Sequence, residues 1–346
     1  MTADSRPLSA RGRLVVLLPS AFPLMLGTAM AGVAEATGDR SVLFPESAAL
    51  AWGAWAMRRQ DWRHLGPRLA ITPALCAVCG VAATSLLPFR LTAELTALTA
   101  AVAVIAALRA QVGPALSAAV LPTVAGIRSW WYVLSVCVVA AVVLGGTLAR
   151  DRLMPSAPEG RGPPSGSAAG RLLITWTVSA AWLSVASGLA LPPAASAPPL
   201  LASTFEWVNS GKRGDARTGS RLGVVLTVAW AAGAVVAWHV RLPAASAAIA
   251  LVIAAVVMRA SRVMHPPAVA VALVPLVLGP PAAWDGLLAG ACSVAVAVTV
   301  LYASGAAGLR LTARLRWPWP PFRCERMSQG ATGLRQPIEA TNRSQP

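Results

Sequence analysis

Residues 109–126 read RAQVGPALSAAVLPTVAG and residues 262–279 read RVMHPPAVAVALVPLVLG, and their offset of 153 positions decides the fold. In that frame Arg109 meets Arg262, Pro114 meets Pro267, Pro122 meets Pro275 and Gly126 meets Gly279 without a gap. Working outward, the same offset carries Gly66 onto Gly219, Arg68 onto Arg221, Gly80 onto Gly233 and Trp131 onto Trp284. Matches among Ala, Leu and Val carry little weight in so apolar a chain. Arg, Pro, Gly and Trp each constrain charge or backbone at a set membrane depth, so their coincidence in one frame predicts a chain built from two copies.

Hydrophobic residues make up 56% of the 346 and charged residues 12%, with a mean hydropathy of +0.63. That balance predicts an all-α polytopic membrane protein and excludes a soluble fold. Twelve apolar segments are expected. The first set covers 13–34, 41–57, 69–88, 91–108, 114–127 and 130–149, and the second covers 171–191, 196–210, 222–240, 243–260, 266–280 and 284–306. If the N-terminus is cytoplasmic and all twelve cross, only Arg40, Arg90, Arg128 and Arg241 of the 29 Lys and Arg residues face outward. So lopsided a split follows the positive-inside rule, and it accounts for the net charge of +16 without nucleic acid. Both termini are then cytoplasmic, in a multi-pass protein of a bacterial-type inner membrane. Each copy has an even number of segments, so the two repeats are expected to be parallel.

Along the chain we expect a cytoplasmic tail at 1–12, repeat 1 at 13–149, a Pro/Gly/Ser-rich linker at 150–170 and repeat 2 at 171–313. A basic, unstructured tail at 314–346 follows, with Trp317 and Trp319 as an interfacial anchor. The first segment has basic residues before it and small residues at Ala31, Gly32, Ala34 and Ala36, as a signal peptide would. The similar segment 171–191 at the same place in copy two favours a retained helix. Cys76 and Cys79 form a CxxC inside an apolar helix, where thiols pack as hydrophobes, and no His or further Cys completes a metal site.

The fifth segment of each copy carries the chemistry. A proline suits the first turn of a helix, and Pro122 and Pro275 are expected to break or kink the helix that follows. Each short helix then starts close to Arg109 or Arg262, and helix N-termini near basic groups attract anions. Arg109, Pro114, Arg262, His265, Pro266 and Pro267 are therefore the candidate anion-binding residues. A second reading stands beside it: the prolines shape helices for packing and the arginines anchor the membrane boundary. His265 can cap a helix, or can change charge near neutral pH and handle substrate or protons. Glu46 and Glu206 are candidate proton or pathway residues, because ionisable groups within membrane segments are expensive. They do not align in the 153 frame. Glu94 and Asp285 fall near segment ends and are expected to face solvent. The sequence contains no nucleotide loop, metal cluster or Ser/His/Asp set, so neither an enzyme nor a cofactor is expected.

At His265-Pro266-Pro267-Ala268 the second copy resembles the HPP family of integral membrane proteins, named for that motif. The likeness extends over about 198–305, through Ala202-Ser203-Thr204, the basic loop leading into Arg221, a long apolar helix pair and the motif opening a short Ala-rich helix. Val269 stands where the family usually has Gly, and copy one keeps only Gly113-Pro114-Ala115. The resemblance implies a small membrane bundle, and plastid members of the family are associated with nitrite transport. The expected function is accordingly an inner-membrane transporter or permease for a small, nitrite-like anion. The partners would be the lipid bilayer and that anionic solute, with homo-oligomer formation left open. The alternatives are a non-transporting membrane scaffold and an organic-acid exporter.

Overall fold

The computed structural model describes residues 10–57, 62, 65–153, 168–210, 216–281 and 283–315; side chains are not described at 10–20, 153, 216–217 and 312–315. Of the expected tail at 1–12, residues 10–12 already belong to a helix, whereas 1–9, most of the linker (154–167) and the basic tail from 316 onward, with Trp317 and Trp319, lie outside the described residues. Twelve α-helices and no strand are found among the described residues. They are α1 (Ala10–Thr37), α2 (Glu46–Ala51), α3 (Arg68–Leu86), α4 (Arg90–Leu108), α5 (Gly113–Ala125) and α6 (Trp130–Leu153). The second half supplies α7 (Ala168–Gly188), α8 (Pro198–Asn209), α9 (Ala216–His239), α10 (Pro243–Ala260), α11 (Pro267–Leu278) and α12 (Trp284–Leu315). A π-helical turn, Trp52–Ala56, continues α2. At the linker, α6 runs on to Leu153 and α7 already starts at Ala168, so 150–153 and 168–170 are helical rather than linker.

Seven helices (α3, α4, α6, α7, α9, α10 and α12) are long and apolar enough to cross a membrane, as expected for an α-helical multi-pass membrane protein. Their apolar residues face outward as well as inward. On α6, Trp131, Leu134, Val138 and Val142 form an exposed stripe at helical spacing, and Ile249, Val252 and Val256 do the same on α10. In water such stripes would be costly, whereas in lipid they need no cover.

The four short helices are the inner layer. From Leu43 to Ala54, from Val112 to Val124, from Ala194 to Val208 and from His265 to Leu276, every residue is buried. With 13 residues, α5 is only about 20 Å long, short of the roughly 30 Å hydrocarbon core. Protein, rather than lipid, encloses it, so its ends can lie at membrane depth. In the first half α3 packs on α4, α5 and α6, and in the second α9 packs on α10, α11 and α12. Between the halves, α1 packs on α10 and α7 on α4, while α2 packs on α11 and α8 on α5.

Backbone chemistry explains the ends of the short helices. Arg109 (φ 51°) and Arg262 (φ 55°) take the left-handed conformation just beyond α4 and α10. At the first, the N–H of Arg109 donates to Ala106 O (3.1 Å) and that of Ala110 to Ile105 O (3.1 Å). At the second, the N–H of Arg262 donates to Arg259 O (3.1 Å) and that of Val263 to Met258 O (3.0 Å). These are Schellman closures, normally served by glycine, and an arginine there costs about 1 kcal/mol or more.

Of the two outcomes expected at Pro122 and Pro275, a break does not occur; α5 runs on to Ala125 and α11 to Leu278. A proline leaves the carbonyl four residues earlier without its helical N–H. For Pro122 that carbonyl is Ala118 O, and Tyr132 Oη donates to it at 3.0 Å. The interior tyrosine therefore replaces the missing amide. Gly126 (φ 70°) then ends α5, with the N–H of Ile127 returning to Pro122 O at 2.8 Å.

Candidate functional site

His265 is the last residue before the cap of α11, and it is buried. Pro266 caps that helix and Pro267 is its first residue, so two consecutive φ angles are locked and two N–H donors removed. The next N–H groups are bonded locally, Ala268 to His265 O (3.0 Å) and Val269 to Pro266 O (3.2 Å). The start of α11 thus offers an anion the field of a helix end but few donors. Its stiffness instead fixes the imidazole, whose Nε2 lies 2.5 Å from Ser203 Oγ in the middle of α8.

Ser203 Oγ is also hydrogen-bonded to Tyr302 Oη on α12, and the Tyr302 ring lies 5.2 Å from that of Trp207. All three polar residues are buried; α8 and α12 contribute two of them, and the segment leading into α11 contributes His265. Two orientations of the chain satisfy the same atoms. In one, Tyr302 donates to Ser203, which donates to His265 Nε2; in the other, His265 donates to Ser203, which donates to Tyr302. They differ in which end holds the proton, so the arrangement can relay one along its length.

One turn beyond Ser203, Glu206 is buried against the first residue of α5. A Cβ on Gly113 would stand 2.9 Å from Glu206 Cγ and 3.0 Å from its Oε1, so only glycine permits this approach. The positive end of α5, expected to attract a free anion at Pro114, already faces a carboxyl of this chain. Downstream on α8, Asn209 Oδ1 accepts from Arg171 Nε at 3.1 Å.

The expected site residues therefore separate. His265, Pro266 and Pro267 join Ser203 and Tyr302, while Gly113-Pro114 joins Glu206. Arg109 and Arg262 are exposed at helix ends. Among the described residues the buried arginines are Arg150, stacked 5.2 Å over Trp55, and Arg171. Glu94 is a correction: it is buried and paired with Arg90 Nε at 2.7 Å, one helical turn away, and does not face solvent. Asp285 is exposed, as expected. Glu46 is buried at the start of α2, with no hydrogen bond to either oxygen. Among the described residues no His/Cys/Asp/Glu cluster could hold a metal ion.

Sequence reasoning missed Ser203 and Tyr302 as site residues. A signal was present: the chain has two tyrosines, each inside an apolar segment, where a phenol must find a partner. No protein-family profile, curated protein or solved structure matches the chain.

Proposed function

We propose that the chain is a multi-pass inner-membrane transporter or permease for a small, nitrite-like anion, built from two parallel HPP-like halves with both termini cytoplasmic. The observation that carries this reading is the polar chain His265–Ser203–Tyr302, held by α8, α12 and the entry to α11 inside an apolar interior. Such groups are expensive at membrane depth and mark pathways more often than scaffolds. Protonated, His265 supplies the charge that holds an anion; neutral, it lets the anion go. Tyr302 and Ser203 give the proton a route to and from the imidazole. In this reading Arg109 and Arg262 add positive potential at the pathway mouth and make no contact with the bound anion.

The two-repeat organisation draws support from the structure. Adding 153 carries α3 to within α9, α4 onto α10 and α5 onto α11, to within a residue or two at most ends. It also carries the closure at Arg109 onto that at Arg262, bond for bond. Gly80 faces the carbonyl of Ala119, and Gly233 faces that of Ala272, in the same frame. The contacts between halves occur in exchanged pairs, as a two-fold relation requires. Four long and two short helices per half make an even number of crossings when both short ones span or neither does, and in either case the halves are parallel.

Uptake of nitrite and nitrate into proteoliposomes tests the function. His265→Ala and Ser203→Ala should each slow uptake at least tenfold, the loss that about 1.4 kcal/mol of stabilisation corresponds to. Arg262→Gly removes a charge while relaxing a left-handed residue, so it should fold normally and slow uptake only a few-fold. Folded wild-type protein that moves no small anion would leave the scaffold reading in its place.

A further inference from the structure

A cleft of about 270 Å³ opens between α1, α9 and α10 at the end of the molecule that carries Arg40 and Arg241. Its wall is mixed: Glu35 and Ser246 join the two arginines among mostly apolar residues. Glu35 Oε2 accepts from the N–H of Ala244, capping α10 across the junction of the halves. Ser246 is buried, and its Oγ makes no hydrogen bond within the chain. Leu43 and Leu276 line the cleft, and the same two residues line a second, apolar void of about 10 Å³ together with Met30 and Pro45. That volume is close to one water-sized sphere. Glu46 is the next residue after Pro45.

Glu46 is 1% exposed, and neither carboxyl oxygen has a hydrogen-bond partner. An ionised carboxylate in such surroundings costs many kcal/mol, whereas the neutral acid costs far less. Among the described residues, the elements packed on α2 place no compensating cation beside it. Neither α5 nor α11 contains a charged residue, and Ser117 of α5 lies beside Glu46 without hydrogen-bonding geometry. On α6, Tyr132 is the neighbouring titratable group, and Arg150 sits far along the helix on Trp55. On α1, Glu35 is engaged at α10.

We propose that Glu46 is a proton-binding carboxyl that exchanges its proton with water in the Arg40/Arg241 cleft, across a barrier formed by Leu43 and Leu276. The proton passes from carboxyl to water and back, and no other reactant is needed. Movement of either leucine joins the cleft to the void and admits the one or two waters the transfer requires. This site is distinct from the His265 chain and extends the transport reading to proton coupling. Its test uses no anion, so its failure and the failure of that reading are separate results.

Two carbodiimides read the site on the full chain in liposomes, with adducts located by mass spectrometry. Dicyclohexylcarbodiimide reaches protonated carboxyls through apolar surroundings, whereas water-soluble ethyl-dimethylaminopropyl carbodiimide arrives only from the cleft. The expected result is a Glu46 adduct with the apolar reagent, forming more slowly as the pH rises, and none with the soluble one. Leu43→Ala and Leu276→Ala should make Glu46 reactive to the soluble reagent. Glu46→Gln should abolish the adduct with helicity unchanged. Wild-type protein alone decides the first point: no Glu46 adduct, or one whose rate ignores pH, overturns the proposal. Equal labelling of wild type and leucine variants by the soluble reagent overturns the barrier.

Discussion

Tyr132 shows what one side chain does for a buried helix. Its hydroxyl occupies the carbonyl that Pro122 strips of an amide donor, so the two residues are coupled although they lie on different helices. Tyr132→Phe should destabilise the protein by about 1–3 kcal/mol, the cost of a buried carbonyl left unmade. Pro122→Ala restores the amide, so Tyr132→Phe should cost distinctly less in that background. Thermal unfolding of the four proteins in detergent measures the coupling, and additive effects would show that the hydroxyl bond carries no weight. Pro122 was visible in the sequence, but its consequence was not, since the compensating phenol lies ten residues on and comes from a neighbouring helix. The same holds at His265. The motif was legible, but its partners lie at sequence separations of 62 and, from Ser203 onward, 99 residues.

At the scale of the element, glycine sets how closely the layers approach. Gly80 of α3 and Gly233 of α9 lie against the backbones of α5 and α11, where an added Cβ would stand 2.9 Å and 2.8 Å from the carbonyl carbons of Ala119 and Ala272. Backbone cannot yield as a side-chain tip can, so Gly80→Ala and Gly233→Ala should each destabilise by roughly 1–3 kcal/mol through overpacking. Gly145 of α6 is exposed with open space around its Cβ position, so Gly145→Ala should be neutral or slightly stabilising. Unfolding midpoints of the three variants test the contrast. Element positions were largely legible: the expected segment 243–260 is α10, and 114–127 differs from α5 by one or two residues. The run of α5 and α11 through their second prolines was not, because enclosure by long helices supplies what the local sequence lacks.

Across the whole molecule, the short helices form an interior that eight long ones surround, and topology is the open quantity. If the short helices cross, Ser129 after α5 and Ser261 after α10 lie on opposite sides of the membrane. In a background lacking the native cysteines, an impermeant thiol reagent should label Ser129→Cys in intact cells and Ser261→Cys only after permeabilisation. Labelling of both from outside would make the short helices re-entrant. Composition and hydropathy determined by themselves that this is a helical multi-pass membrane protein, because hydropathy and helix length are local quantities. Tertiary structure alone decided that His265 meets Ser203 and Tyr302, that Glu206 fills the approach to α5 and that the Glu46 carboxyl is buried with no hydrogen-bond partner. Those contacts join helices far apart in the chain, and in an interior this uniformly apolar no local pattern records which polar groups will meet.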